Sequence, residues 1–121
     1  MNRIKYLIID DDIIFSKWLK ASIDERFPNF DHISSRNNTL GGLLDIHRNQ
    51  PDLVFLDQYI DGLSGFDVLD LMKHDPKIIM ISSESIDQKK LEEYPNVIGF
   101  IDKPIDLDKL STFLKRMGLI S

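Results

Sequence analysis

The chain contains no cysteine, which excludes a disulfide framework and any thiolate metal site and is compatible with a reducing compartment. No apolar run approaches the ~20 residues of a membrane span, and the first residues lack the long apolar segment of a secretory signal, so no membrane partner is expected and the cytoplasm is the default. Positive charge is scarce: 15 Lys and Arg stand against 20 Asp and Glu, a net −5. That balance argues against direct nucleic-acid binding, which calls for a basic face. It suits a cation site, although a charge of this size is also an ordinary solubility device. Repeats, low-complexity tracts and Pro/Gly/Ser-rich linkers are missing too, so residues 1–121 read as one domain, and 42% hydrophobic content is enough for a layered core.

What is present is a set of short apolar runs ending on polar residues. Leu53 to Leu56 is too short for a helix, follows Pro51-Asp52 and ends on Asp57. That is the pattern of a strand buried on both faces of a parallel sheet. Tyr6 to Ile9 ends on Asp10-Asp11-Asp12, Ile78 to Ile81 on Ser82-Ser83-Glu84, and Val97 to Ile101 on Asp102-Lys103-Pro104. Phe30 to Ser34 is half-polar and suits a sheet edge.

Helical patterns lie between these runs. The first carries Ile14, Phe15, Trp18, Leu19, Ile23 and Phe27 at one-face spacing, with Asp12 as its N-cap and Pro28 beyond its end. The second runs from caps at Asn37 or Asn38 to about Asn49, would bury Leu40, Leu43, Leu44 and Ile46, and is softened by Gly41 and Gly42 at about 1 kcal/mol each. A third carries Phe66, Leu69, Leu71 and Met72 and closes near His74-Asp75-Pro76. A short fourth covers Asp87 to Glu93 before Tyr94-Pro95. The last starts at Asp106 and buries Leu107, Leu110, Phe113 or Leu114, and Met117, with Lys115 and Arg116 at its end and Gly118 after it. Five strands alternating with five helices predict an α/β fold, a parallel sheet with helices on both faces.

Right-handed crossovers bring the C-terminal strand ends to one edge, where sites form in such sheets. Asp10, Asp11, Asp57, Ser82 and Lys103 therefore converge. Three carboxylates at close range repel unless a cation lies between them, and an all-oxygen set suits Mg²⁺. Asp57 is then placed to attack a phosphoryl donor, with Lys103 neutralising charge and Ser82 donating to a phosphoryl oxygen. His32, His47 and His74 have no ligand spacing and read as surface or packing residues.

With these pieces at these separations, the chain resembles the receiver domain of two-component response regulators, the CheY-like family, from end to end. The resemblance implies a flavodoxin-like three-layer sandwich with strand order 2-1-3-4-5. It also implies that Asp57 is the phosphoacceptor, and that Asp10, Asp11, Asp57 and the Tyr59 backbone carbonyl hold Mg²⁺. Lys103 resembles the lysine that pairs with the phosphate, and the Lys-Pro bond after it is often cis in the family. Ser82 and Phe100 match the switch hydroxyl and the aromatic that follows it, coupled to a surface of the fourth helix, fifth strand and fifth helix. The implied donor is a phosphohistidine on a sensor histidine kinase or a histidine phosphotransfer domain, and the output goes to a downstream protein. The implied activity is confined to the chain's own phosphorylation and dephosphorylation. Part of the Phe15–Trp18 stripe, beside Ile105, is an alternative docking patch to its core reading.

Four positions are expected to modulate the site. Asp61 stands where the family usually has Pro, adding an acid at the rim and a less restrained loop. Ser83 narrows access slightly, and Tyr59 and Glu84 flank the phosphoryl position. Two other readings compete. One is a haloacid dehalogenase-type aspartyl-phosphate phosphatase using Asp10 and Asp12, which lacks the further acidic pair and cap that chemistry needs. The other is a pseudo-receiver acting only as an interaction module, against which Asp57, Asp11 and Lys103 stand intact.

Overall fold

The computed structural model describes residues 3–120. Its elements are β1 (Ile4–Ile9), α1 (Ile13–Arg26), β2 (Phe30–Arg36), α2 (Thr39–Asn49), β3 (Leu53–Asp57), a hairpin of β4 (Tyr59–Ile60) and β5 (Leu63–Ser64), α3 (Gly65–Leu71), β6 (Lys77–Ser82), α4 (Gln88–Leu91), β7 (Val97–Asp102) and α5 (Leu107–Arg116). The main sheet has the order β2-β1-β3-β6-β7, all parallel. Setting the hairpin aside, this is the expected 2-1-3-4-5 order. β2 lies at one edge, as its half-polar composition predicts.

Two apolar layers sandwich the sheet. One joins Tyr6, Ile8, Phe55, Ile79 and Ile81 to Leu19, Ile23, Leu110 and Leu114 of α1 and α5. The other joins Leu7, Ile9, Val54, Leu56 and Met80 to Ile46, Phe66 and Val68 of α2 and α3. The period-2 alternation of a strand buried on both faces produces this split. Each fully buried Leu or Ile contributes about 1.5–3 kcal/mol, so the central strands are the least replaceable part of the fold. The Tyr6 hydroxyl donates to Asp24 Oδ1 at 3.1 Å, and the Asp45 carboxylate accepts from Ser34 and twice from Arg36.

The helices depart from the sequence reading in how much they bury. In α1, Leu19 and Ile23 are buried, whereas Ile14 is 82% and Trp18 41% exposed and Phe15 is half-buried. Trp18 is therefore not a core residue. In α2, of the four apolar residues expected inside, Ile46 is buried and Leu43 half-buried, while Leu40 and Leu44 are exposed. A helix lying on a sheet buries a narrower stripe than its apolar content suggests. α2 forms despite its two glycines because Asn38 caps it, its Oδ1 accepting the Gly41 N–H at 2.7 Å, and Gln50 closes it in the left-handed region at φ 45°.

α3 ends at Leu71, earlier than expected, because Met72 turns to extended backbone, and Leu71 faces solvent. Its buried set includes Val68 in addition to Phe66 and Leu69. α4 is the single turn Gln88–Leu91, capped by Asp87 and shorter than the expected span to Glu93. In α5, capped by Asp106, Leu110 and Leu114 are buried, Leu107 and Phe113 half-buried, and Met117 exposed. β2 runs on to Arg36 and β7 to Asp102. No helix among the described residues is long and apolar enough to cross a membrane.

Candidate functional site

The sheet register brings the polar strand ends together. Ile9 pairs with Leu56, Asp57 with Ile81, and Ser82 with Asp102, so residues 10, 57, 82 and 103 follow neighbouring strands at one edge. A carboxylate oxygen from each of Asp10, Asp11 and Asp57 falls within 4.8 Å of the others, with Asp10 and Asp57 buried and Asp11 exposed. Lys103 Nζ lies 2.7 Å from Asp10 Oδ2 and 3.6 Å from Asp57 Oδ2. It also sits over the Phe15 ring, 4.6 Å from the centroid, a cation–π contact that explains why Phe15 is neither core nor free surface. The Lys103–Pro104 peptide is cis.

Charge sets the chemistry here. Burial, then the negative charge of Asp10, pushes the Asp57 carboxyl up to about 7, against the pull of Lys103. For Lys103, burial pulls the pKa down, but Asp10, Asp57 and Asp12 outweigh it and leave it raised. One ammonium cannot neutralise three carboxylates. Asp10 Oδ1 accepts the Asp12 N–H at 2.8 Å, and its buried Oδ2 meets the Lys103 ammonium at 2.7 Å. An all-oxygen set of three clustered carboxylates with surplus negative charge fits a hard divalent cation.

Asp12 is a cap, as expected: its Oδ1 accepts the Phe15 N–H at 2.9 Å. A dehalogenase-type role for the Asp10–Asp12 pair would need that carboxylate free, so the geometry favours the other readings. Asp61 requires a correction. Asp61 and Gly62 both have positive φ, 53° and 74°, and form the two-residue turn of the β4–β5 hairpin, the Asp-Gly pattern that such turns prefer. Asp61 Oδ2 accepts the Thr39 N–H at 2.8 Å, at the start of α2. The loop is therefore tied down rather than loosened, and this acid serves a helix end rather than the metal cluster.

Tyr59 begins the hairpin with its side chain exposed, and its N–H lies 3.5 Å from Asp57 Oδ1. Gly65, at the start of α3, could not carry a side chain, since a Cβ there would lie 2.9 Å from the Asp57 carbonyl oxygen. Phe100 is half-buried and packs against the α2–α3 layer. Ser83 and Glu84 are exposed at the rim. Ser82 is buried, and its hydroxyl donates to Gln58 Oε1 while accepting the Glu84 N–H at 2.9 Å. Gln58 was not among the expected site residues. The signal available in sequence was a polar residue directly after Asp57, where the strand remains buried on both faces.

Comparison with known proteins gives a consistent result. The family model of the response regulator receiver domain matches residues 6–115. An uncharacterised response regulatory protein of Shewanella oneidensis is 30% identical over 114 residues, covering 92% of this chain and 47% of that protein. The transcriptional regulatory protein BtsR of Escherichia coli is 26% identical over 117 residues, covering 94% of this chain and 48% of BtsR. The chain thus spans about half the length of the curated relatives it matches. Among solved structures, the response regulator domain of Thermotoga maritima CheB superposes with a TM-score of 0.79 at 24% identity, covering 99% of this chain and all of that one, a likeness of fold.

Proposed function

The chain belongs to the response regulator receiver family, and from that premise we propose that Asp57 accepts a phosphoryl group from a phosphohistidine on a sensor kinase or histidine phosphotransfer domain. The observation that carries this reading is the convergence of Asp10, Asp11, Asp57 and Lys103 at one strand edge. An oxygen of the Asp57 carboxylate bonds to phosphorus as the phosphorus–nitrogen bond breaks, and that bond's electron pair leaves with the imidazole. Asp10, Asp11, Asp57 and the Tyr59 carbonyl would hold Mg²⁺, which would supply charge neutralisation to the transferring group. Lys103, 3.6 Å from Asp57 Oδ2, stabilises the phosphoryl oxygens and favours the ionised, nucleophilic form of Asp57. Ser82 then donates to a phosphoryl oxygen and Phe100 follows, altering the surface of α4, β7 and α5 for a downstream protein. Tyr59, Ser83 and Glu84 rim the position a hydrolytic water must cross, and set the lifetime of the acyl phosphate.

The donor must approach over α1. Ile13, Ile14 and Trp18 are exposed there, beside Phe15 and Lys103, and an apolar patch at a site's rim suits a helical partner. The chain's catalysis is limited to its own modification, and the cytoplasm is where such donors present their histidines.

Incubation with acetyl phosphate and Mg²⁺, followed by intact-mass analysis, tests the core of this reading. Wild type is expected to gain one phosphoryl group and Asp57→Asn none. Label retained by Asp57→Asn, or none on wild type, would overturn it. Failure to label would leave a pseudo-receiver as the better account.

A further inference from the structure

We infer that Gln58 is a latch on the switch hydroxyl: it holds Ser82 in the unphosphorylated arrangement and so sets how readily the domain turns on. The inference rests on the reading of Asp57 as phosphoacceptor and concerns what opposes the response to it. Gln58 and Ser82 are 5% and 2% exposed, so neither can exchange its partner for bulk water. The Ser82 hydroxyl has a single hydrogen, and it is committed to Gln58 Oε1. The orientation of the amide is set by its other end, where Nε2 lies 3.5 Å from the Ser85 carbonyl. The Gln58 backbone cannot follow a moving Ser82. Its N–H donates to the Ile81 carbonyl at 2.8 Å, and its carbonyl accepts from Gly65.

To reach a phosphoryl group on Asp57, the Ser82 hydroxyl must give up Oε1 and leave a buried carbonyl unpaired. The Glu84 N–H, which donates to the same hydroxyl at 2.9 Å, is drawn along. Gln58 therefore links the segment after β3 to the segment between β6 and α4 in the off arrangement only. An acceptor stranded in this way shifts a two-state balance by about five- to a hundredfold. Gln58 is thus a positioning residue, acting through Ser82 rather than on the phosphoryl group itself.

The test is a double-mutant cycle read by binding of beryllofluoride, a phosphoryl stand-in, to the Mg²⁺-loaded protein. Gln58→Met removes the acceptor while keeping the volume. It is expected to bind beryllofluoride about tenfold more tightly than wild type, whereas in the Ser82→Ala background the same substitution changes affinity by less than about twofold. Unchanged or weaker binding in Gln58→Met, or an equal change in both backgrounds, overturns the latch. A measurement on wild type needs no variant to fold: the Gln58 side-chain amide resonances should shift when beryllofluoride and Mg²⁺ bind, and static resonances refute the proposal. Acetyl phosphate separates the two levels. Normal labelling of Asp57 with no Gln58 effect refutes the latch alone, whereas absence of labelling removes the phosphoacceptor reading and the latch with it.

Discussion

Replacing Asp57 by Asn should stabilise the metal-free protein by an amount that grows with pH. The folded protein holds the Asp57 carboxyl at about 7, through burial and the adjacent Asp10 charge, against an ordinary value of 3.8. Because the folded pKa is raised, the native state keeps a proton that the unfolded chain has already released. The native advantage is fully present below about pH 4, falls as pH rises towards 7, and stays lost above it. Three units at about 1.4 kcal/mol each set a ceiling of about 4 kcal/mol. The group is coupled to Asp10 and Lys103 and is not wholly shielded, so about 1–3 kcal/mol is the expected range. Asn is close in shape and cannot ionise, so it is free of this loss. For a domain of this size, roughly 3–5 °C in Tm accompanies each kcal/mol.

The assay is thermal unfolding in EDTA from pH 4 to 8.5, comparing wild type with Asp57→Asn. The difference in Tm should be small near pH 4, widen through pH 5–7 and level off above. Added Mg²⁺ at pH 8 should raise wild type more than the variant and narrow the gap, because the cation relieves the repulsion the substitution has already removed. A gap independent of pH, or an equal response of both proteins to Mg²⁺, would refute the claim that these carboxylates crowd one another.

Two other predictions concern residues outside the charge cluster. Asp61→Pro should destabilise the protein by about 3 kcal/mol in urea unfolding, because Pro cannot adopt φ 53° and the Thr39 N–H loses its acceptor, whereas Asp61→Asn should cost under about 1 kcal/mol; equal losses would contradict the hairpin account. Ile14→Asp should leave Tm within about 1 °C and labelling by acetyl phosphate unchanged, yet slow phosphoryl transfer from a histidine donor about tenfold or more, since Ile14 is 82% exposed; an unchanged transfer rate would remove α1 from the docking surface.

Lys103 and Asp10 show how much of the site was legible before any coordinates. Each follows an apolar run that reads as a strand, and parallel crossovers leave strand ends little choice of edge, even though β7, before Lys103, is an outer strand of the sheet. Asp61 shows the opposite. Its acid charge suggested the pocket rim, but a left-handed backbone and a free N–H at the start of α2 claimed it, and both depend on how loops from distant parts of the chain meet. Trp18 and Leu40 were misjudged for a related reason. Periodicity identifies which face of a helix is apolar, whereas the width of the stripe that is covered depends on what the helix packs against.

The amino-acid order by itself determined the alternation of strands and helices and the identity of the groups at the strand ends, because hydrophobic period and crossover handedness are local or nearly local rules, whereas the strand order was implied only by the family resemblance. Only the tertiary structure decided which of those groups restrain one another. Gln58 and Ser82 are 24 residues apart, and nothing in either stretch announces their hydrogen bond. It exists because β3 and β6 lie side by side in a register that brings the two buried polar groups together.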